Sequence, residues 1–184
     1  MITVFLALGS NLGDRAGHLG RAVAALGAQL RVTAISQLWQ TAPMYVLDQP
    51  AFLNMALAAE TTLAPLELLK LAKSIEADHG RQPGLRFGPR VVDIDILFYG
   101  EAVIALPDLE IPHPRLGERA FVLAPLAEIA PDFRHPTLGC RIAELLAVLP
   151  GFHGSPREGA HGGDSGDDGI CVRYSLLSGA RAQP

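Results

Sequence analysis

A chain of 184 residues that is 49% hydrophobic and 18% charged, with a formal net charge of −4, has the balance of a soluble globular domain and not of a disordered one. The negative balance argues against an extended nucleic-acid surface, which shows as a basic stripe, and the longest apolar runs are well short of a membrane span. Two isolated cysteines, Cys140 and Cys171, build neither a disulfide framework nor a cysteine-based zinc site and agree with a reducing compartment.

The opening "MITVFLALGSNLG" has no basic region ahead of its short apolar stretch, so it reads as a first strand and not a secretory signal, and a cytoplasmic location is expected. Residues 2 to 8 form that strand. After the capping candidates Asn11 and Asp14, Leu19, Val23, Leu26 and Leu30 recur at helical spacing. Val32 to Thr41 and Phe52 to Thr61 are β-rich, separated by "APMYVLDQP", whose prolines interrupt regular structure. Pro65 suits the first turn of a second helix with Leu68, Ala72, Ile75 and His79 on one stripe and Gly80 as its stop. Val91 to Tyr99 is the next strand. The order β-α-β-β-α-β predicts an α+β, ferredoxin-like sandwich with helices on one sheet face. Two helical stretches at about 117–129 and 139–149 would add to that core. Residues 151–184, with "GAHGGDSGDDG", read as a mobile tail after a domain of residues 1–150. Its aspartates miss the calcium-loop pattern because Gly166 stands where an oxygen ligand is needed. "ICVRYSLL" could add an edge strand there.

"RFGPRVVDIDILFYG" carries the chemistry. Strand geometry puts Asp93 and Asp95 on one face about 7 Å apart, where two unit charges repel by about 2 kcal/mol at an effective dielectric near 20. A divalent cation reverses that sign, and Mg²⁺ is commonly held by one or two carboxylates with water and phosphate oxygens completing its shell. A solvated outer sheet face is the bland alternative. Upstream, "GRQPGLRFGPR" brings Arg81, Arg86 and Arg90 into a Gly/Pro-rich loop, whose forked donors match phosphate oxygens in pairs; a solvated basic loop is its alternative. Together, carboxylates and arginines within fifteen residues suggest a metal-nucleotide site. "GSNLGD" lacks both the P-loop lysine and the G-x-G-x-x-G spacing and is by itself a turn-and-cap signal. In "AFLNMAL", Phe52 and Asn54 alternate onto one face, an aromatic plane beside an amide that suits a flat heteroaromatic ring. Ordinary core packing is the other reading of Phe52.

The pieces "ALGSNLGDR", "TAP" with "DQPAFLNMAL", "GPRVVDIDIL" and "IPHPRLGERAFVLAPLAEIAP" together resemble the hydroxymethyldihydropterin pyrophosphokinase family of folate biosynthesis. The resemblance implies transfer of pyrophosphate from ATP, the co-substrate, to the hydroxymethyl group of 6-hydroxymethyl-7,8-dihydropterin, with release of AMP. It implies that Asp93 and Asp95 bind two Mg²⁺ ions, that Asp95 assists deprotonation of the acceptor, and that Arg81 and Arg90 are catalytic arginines. It places Thr41, Met44, Phe52, Asn54 and Phe121 around the pterin, and Glu76, Arg81, Arg90, Ile96, His113 and Arg119 on ATP. Three features depart from the pattern: Gln82-Pro83-Gly84 in a shortened arginine segment, Phe87 where some members have tryptophan, and Lys73 where a neutral amide can stand. The implied partners are these small molecules, with no nucleic acid, no membrane and a monomeric chain. A metabolite-binding regulatory module and a single-stranded RNA binder are the competing classes. Paired acidic residues beside an arginine loop disfavour both.

Overall fold

A computed structural model describes residues 1–43, 48–80 and 88–149, and the backbone of 172–174. Met44, Arg81 to Phe87 and the remainder of the expected tail lie outside the described residues. The fold is a mixed helix and antiparallel-sheet structure. β1 (Ile2–Ser10) leads into α1 (Arg15–Gly27), then β2 (Arg31–Ile35), β3 (Leu38–Thr41) and β4 (Phe52–Thr61). α2 (Pro65–Asp78) and β5 (Asp93–Tyr99) follow, then the hairpin β6 (Ile104–Leu106) and β7 (Leu109–Ile111), a 3-10 turn at Leu116–Glu118, α3 (Ala120–Ile129) and α4 (Ile142–Ala147). A last strand, β8 (Val172–Tyr174), pairs with β3.

The main sheet runs β5-β1-β4-β3-β8, with β2 also paired to β4, and its pairings are antiparallel. The β-rich stretch expected over Val32 to Thr41 is thus two short strands laid end to end along β4. The break is buried Ser36, which donates its backbone N–H to the Ala56 carbonyl at 2.9 Å and accepts from the Ala56 N–H through its hydroxyl at 2.9 Å. No local pattern announces it, because the partner is twenty residues away. The strand expected from Val91 begins at Asp93, and the small β6-β7 hairpin was not anticipated.

Side-chain alternation sorts the sheet into two faces. Val4, Leu6 and Leu8 of β1, Met55 and Leu57 of β4, and Ile94 and Ile96 of β5 pack beneath α1 and α2. Asp14 caps α1 by accepting from the Gly17 N–H at 3.0 Å, and Glu67 accepts from the Ala64 N–H to close the start of α2. Asn11, the other capping candidate, does not cap: its side chain is engaged elsewhere. The opposite face carries Phe5, Ala56, Ala58, Leu97 and Phe98 beneath α3 and α4. Helices therefore cover both faces, and not the one face that the element order suggested; the added C-terminal helices supply the second layer because Phe5, Leu97 and Phe98 need covering.

A β-bulge makes this second layer possible. Leu6 opposes Ile96 and Phe5 opposes Phe98, so Leu97 is an extra residue in β5. It resets the alternation, and both Leu97 and Phe98 reach the α3–α4 core while Asp93 and Asp95 share that face further along.

His135, in the α3–α4 connection, is 7% exposed and sits edge-on to Phe98 at 5.3 Å between centroids. Burial holds its pKa below the ordinary histidine value, and its Nδ1 accepts from the Thr137 N–H. With the folded pKa depressed, stability is full above the unfolded value near 6.5 and is lost as pH falls below it, by at most about 1.4 kcal/mol per pH unit for one proton. Thermal midpoints measured between pH 7 and 5 should fall, and His135→Gln should flatten part of the fall. An unchanged slope in that variant would clear His135 of the effect.

Candidate functional site

The face that carries Asp93 and Asp95 is not wholly covered by α3. Where the cover ends, a cleft of about 200 Å³ opens over the start of β4 and β5 and the end of β1. Its floor follows from strand register. Gly9 lies opposite both Asn54 and Asp93, and Ala7 lies opposite both Ala56 and Asp95. Small residues on the central strand thus separate an acidic row on one side from an amide on the other. A Cβ at Gly9 would sit 2.9 Å from Asn54 Oδ1, so the glycine is required by close approach, not by backbone conformation.

On the acidic side, Arg90 pairs with Asp93 through Nη1 and Oδ2. Arg119 Nη1 lies 3.7 Å and His113 Nε2 3.8 Å from Asp95 Oδ2. Burial in the cleft, then the Asp93 charge, raises the Asp95 pKa above its ordinary value, while Arg119, Lys73 and Arg90 pull the other way. Its side chain keeps 32% exposure and lines the cleft, where neighbouring groups desolvate the carboxylate more than the fraction suggests.

Burial, followed by the neighbouring Arg119 charge, lowers the His113 pKa to about 4, so at neutral pH the ring is uncharged and its approach to Asp95 is not an ion pair. Its Nδ1 accepts from the Arg115 N–H at 3.2 Å, which leaves the proton on Nε2, facing the cleft. The ring is fixed in turn by the bulge: the His113 N–H donates to the Leu97 carbonyl at 3.0 Å. Arg119 is 9% exposed, and its Nε is buried without a hydrogen-bond partner. Arg119 lines the cleft beside Asp95, and its forked guanidinium could take an anion there. Its Cζ also lies 5.6 Å from the centroid of Phe121, a cation–π contact that fixes both side chains.

On the other side, Asn54 is 7% exposed and donates from Nδ2 to Thr41 Oγ1 at 2.7 Å. That bond orients the amide, and Phe52 and Phe121 line the cleft with it. The arrangement can hold a flat polar ring beside a phosphate chain.

Of the residues singled out in the sequence, Thr41, Phe52, Asn54, Arg90, Asp93, Asp95, His113, Arg119 and Phe121 line this cleft together. Glu76 and Ile96 do not. Glu76 is 1% exposed on α2, accepts from the Ile94 N–H at 2.8 Å along the outer edge of β5, and takes Lys73 Nζ at 3.0 Å on both oxygens. Lys73 therefore has a structural partner. The Ile96 side chain points into the α1–α2 core, which leaves its backbone, on the edge strand, as the part a ligand could meet. Met44 and Arg81 lie outside the described residues. Gly9, Ala7, Gln49 and Gly88 also line the cleft and were not named; register against the aspartates could have found Gly9 and Ala7.

Asp93 and Asp95 have the hard oxygen donors a divalent cation takes. Among the described residues no group of three or more potential ligands gathers, so water and phosphate oxygens would have to complete any coordination shell.

The family described as 7,8-dihydro-6-hydroxymethylpterin-pyrophosphokinase (HPPK) matches residues 5–131. The 2-amino-4-hydroxy-6-hydroxymethyldihydropteridine pyrophosphokinase of Pseudomonas aeruginosa is 44% identical over 156 residues, which are 84% of this chain and 95% of that protein. The Bacillus subtilis protein of the same name is 49% identical over 127 residues, 68% of this chain and 76% of that one. The folic acid synthesis protein FOL1 of Dictyostelium discoideum is 47% identical over 147 residues, 80% of this chain but 22% of that longer protein. Among solved structures, wild-type Plasmodium falciparum HPPK-DHPS with SDX-DHP superposes with a TM-score of 0.63 at 18% identity, over 80% of this chain and 43% of that one. This chain thus spans less than half of that solved chain.

Placing a side chain at Gly9 tests the floor of the cleft. Gly9→Val should displace the Asn54 amide and cost about 1–3 kcal/mol of stability by overpacking, read by denaturant unfolding. Wild-type stability with an unmoved Asn54 side-chain amide resonance would show that the close approach is not a constraint.

Proposed function

We propose, because this chain belongs to the 7,8-dihydro-6-hydroxymethylpterin-pyrophosphokinase family, that its cleft transfers pyrophosphate from ATP to the hydroxymethyl oxygen of 6-hydroxymethyl-7,8-dihydropterin and releases AMP, a step of folate biosynthesis. The observation that carries the proposal is the meeting on one sheet face of an acidic pair, two buried or half-buried arginines and an amide flanked by aromatic rings. A metabolite-binding module needs no paired metal ligands.

Asp93 and Asp95 would hold two Mg²⁺ ions. Such ions, when bound, neutralise phosphate charge and stabilise the entering and leaving oxygens. The chain's own groups do the rest. Asn54, oriented by Thr41, reads the polar edge of the pterin, and Phe52 and Phe121 stack on its ring. Arg119, through its guanidinium, and His113, through Nε2–H, would donate to phosphate oxygens from the wall of the cleft. Arg90, already paired to Asp93, sits where transferred charge would accumulate. Asp95 would assist deprotonation of the acceptor hydroxyl. Arg81 as second catalytic arginine and Met44 as pocket wall rest on the family resemblance alone. Glu76 and Ile96 fit a nucleotide role through the outer edge of β5, where the Ile96 backbone lies.

The sheet order β5-β1-β4, with β2 and β3 on the far side of β4, supports the ferredoxin-like reading of the core. We place the activity in residues 1–150, consistent with the family match ending at 131, and take the chain to act as a cytoplasmic monomer. No described helix is long and apolar enough to cross a membrane, and the relative from Pisum sativum is named as mitochondrial.

The direct test is AMP formation from ATP with and without the hydroxymethyl pterin, with magnesium as the variable. Asp95→Ala should lower AMP release by about 10²–10³-fold or more. Because the folded state disfavours the Asp95 charge, the variant should melt no lower than the parent. Near-normal AMP release from folded Asp95→Ala would remove that residue from the chemistry.

Phe121 separates the two ligands. Phe121→Ala should weaken pterin binding by about tenfold while nucleotide binding, followed by calorimetry, changes much less. Equal losses for both would mean that Phe121 serves the packing of α3 and not a ring.

A further inference from the structure

The last turn of α3 carries an acid that helix electrostatics disfavours. Glu128 is the penultimate residue of that helix, where a negative charge meets the negative end of the helix dipole. Its task is therefore to be sought outside the helix. Glu128 is half-buried; its Oε2 accepts from the Trp39 indole N–H at 3.1 Å, and its Oε1 accepts from the Gln37 N–H at 3.3 Å. A carboxylate can accept from both donors at once, whereas a carboxamide of the same shape would turn its NH₂ group toward one of them.

Both donors belong to the wall of the cleft. Trp39 is buried and is the cross-strand partner of Asn54, which in turn lies opposite Gly9, so the indole continues the row that forms the cleft floor. Thr41, which orients the Asn54 amide, ends the same short strand. Seven residues before Glu128, near the start of α3, Phe121 lines the cleft. Seven residues are close to two helical turns, about 10 Å along the axis, so Phe121 and Glu128 share one stripe of the helix, on the side that packs against β3 and β4. Pro125 stands between them. It cannot donate to the Phe121 carbonyl, so the hydrogen-bond ladder of α3 lacks a rung there, and the direction of the first turn depends on contacts with the sheet.

We infer that Glu128 is a positioning residue for the pterin: by tying the end of α3 to Gln37 and Trp39, its carboxylate sets the gap between Phe121 on the helix and Phe52 and Asn54 on the strand, and so the width of the slot that receives the ring. This rests on the pyrophosphokinase reading. Glu128 touches neither ligand in this account and acts through Phe121. The acidic pair and the arginines lie on the other side of the floor, toward β5, so nucleotide binding does not depend on this tie.

The test is calorimetry on the full chain, with α,β-methylene-ATP and magnesium titrated alone and 6-hydroxymethylpterin titrated into the chain saturated with that nucleotide. Glu128→Ala should weaken pterin binding by about five- to tenfold and Glu128→Gln, which keeps one of the two bonds, by about threefold. Nucleotide affinity should stay within about twofold of the parent. In a Phe121→Ala background, the same two substitutions should change pterin affinity by no more than about 1.5-fold, because a residue that acts through another has nothing left to act on. Circular dichroism shows whether each variant is folded, and if Glu128→Ala is not, Glu128→Gln carries the test. Unchanged pterin affinity in a folded variant, equal losses for both ligands, or losses that persist in the Phe121→Ala background overturn the positioning role and leave the enzymatic reading standing. Failure of the parent to bind the pterin overturns that reading itself.

Discussion

Two carboxylates on one strand face, two residues apart, repel by about 2 kcal/mol before desolvation is counted, and much of the surrounding structure exists to hold them there. Ile94 and Ile96 anchor the opposite side of the same strand in the α1–α2 core, so the acidic side chains cannot rotate away from each other. Arg90 is paired to Asp93, and Arg119 and neutral His113 face Asp95. The cations offset part of the repulsion, and burial followed by the Asp93 charge still raises the Asp95 pKa. What remains is an incompletely neutralised acidic site with a guanidinium next to it. Such a site favours a ligand that brings both positive and negative charge, as a metal-phosphate complex does.

The bulge at Leu97 links that site to the fold. Without the extra residue, Phe98 would turn to the other face and leave α3 and α4 with less to cover. With it, β5 presents acids at one end and apolar side chains at the other on a single face. The Leu97 carbonyl also fixes His113 through its backbone N–H. One inserted residue thereby sets both the boundary of the second core and the position of a cleft donor.

Legibility in the sequence tracked the range of the forces involved. β1, α1, β4 and α2 were readable because their apolar spacing is strong and local. The division of β2 from β3 was not, because it depends on Ser36 meeting Ala56 across the sheet. The second helical layer was visible as helices but not as a layer, since helix periodicity does not name the face it will cover. Asp93, Asp95, Phe52 and Asn54 announced themselves by alternation within one strand. Arg119 and His113 did not; they arrive from a segment after the hairpin, and only family resemblance marked them. Asn11 was misread because asparagine near a helix start is an ordinary cap, and its four bonds run to residues far along the chain.

α3 reaches across the molecule. Its first turn carries Phe121 beside Arg119, and near its other end Glu128 accepts from the Trp39 indole N–H at 3.1 Å and from the Gln37 N–H at 3.3 Å. Trp39 is the cross-strand partner of Asn54, and the chain has one tryptophan. Indole emission from this protein therefore originates at a single buried address, one strand away from the Asn54 amide and tethered to the helix beside the cleft, so the molecule carries a native fluorophore next to its candidate site.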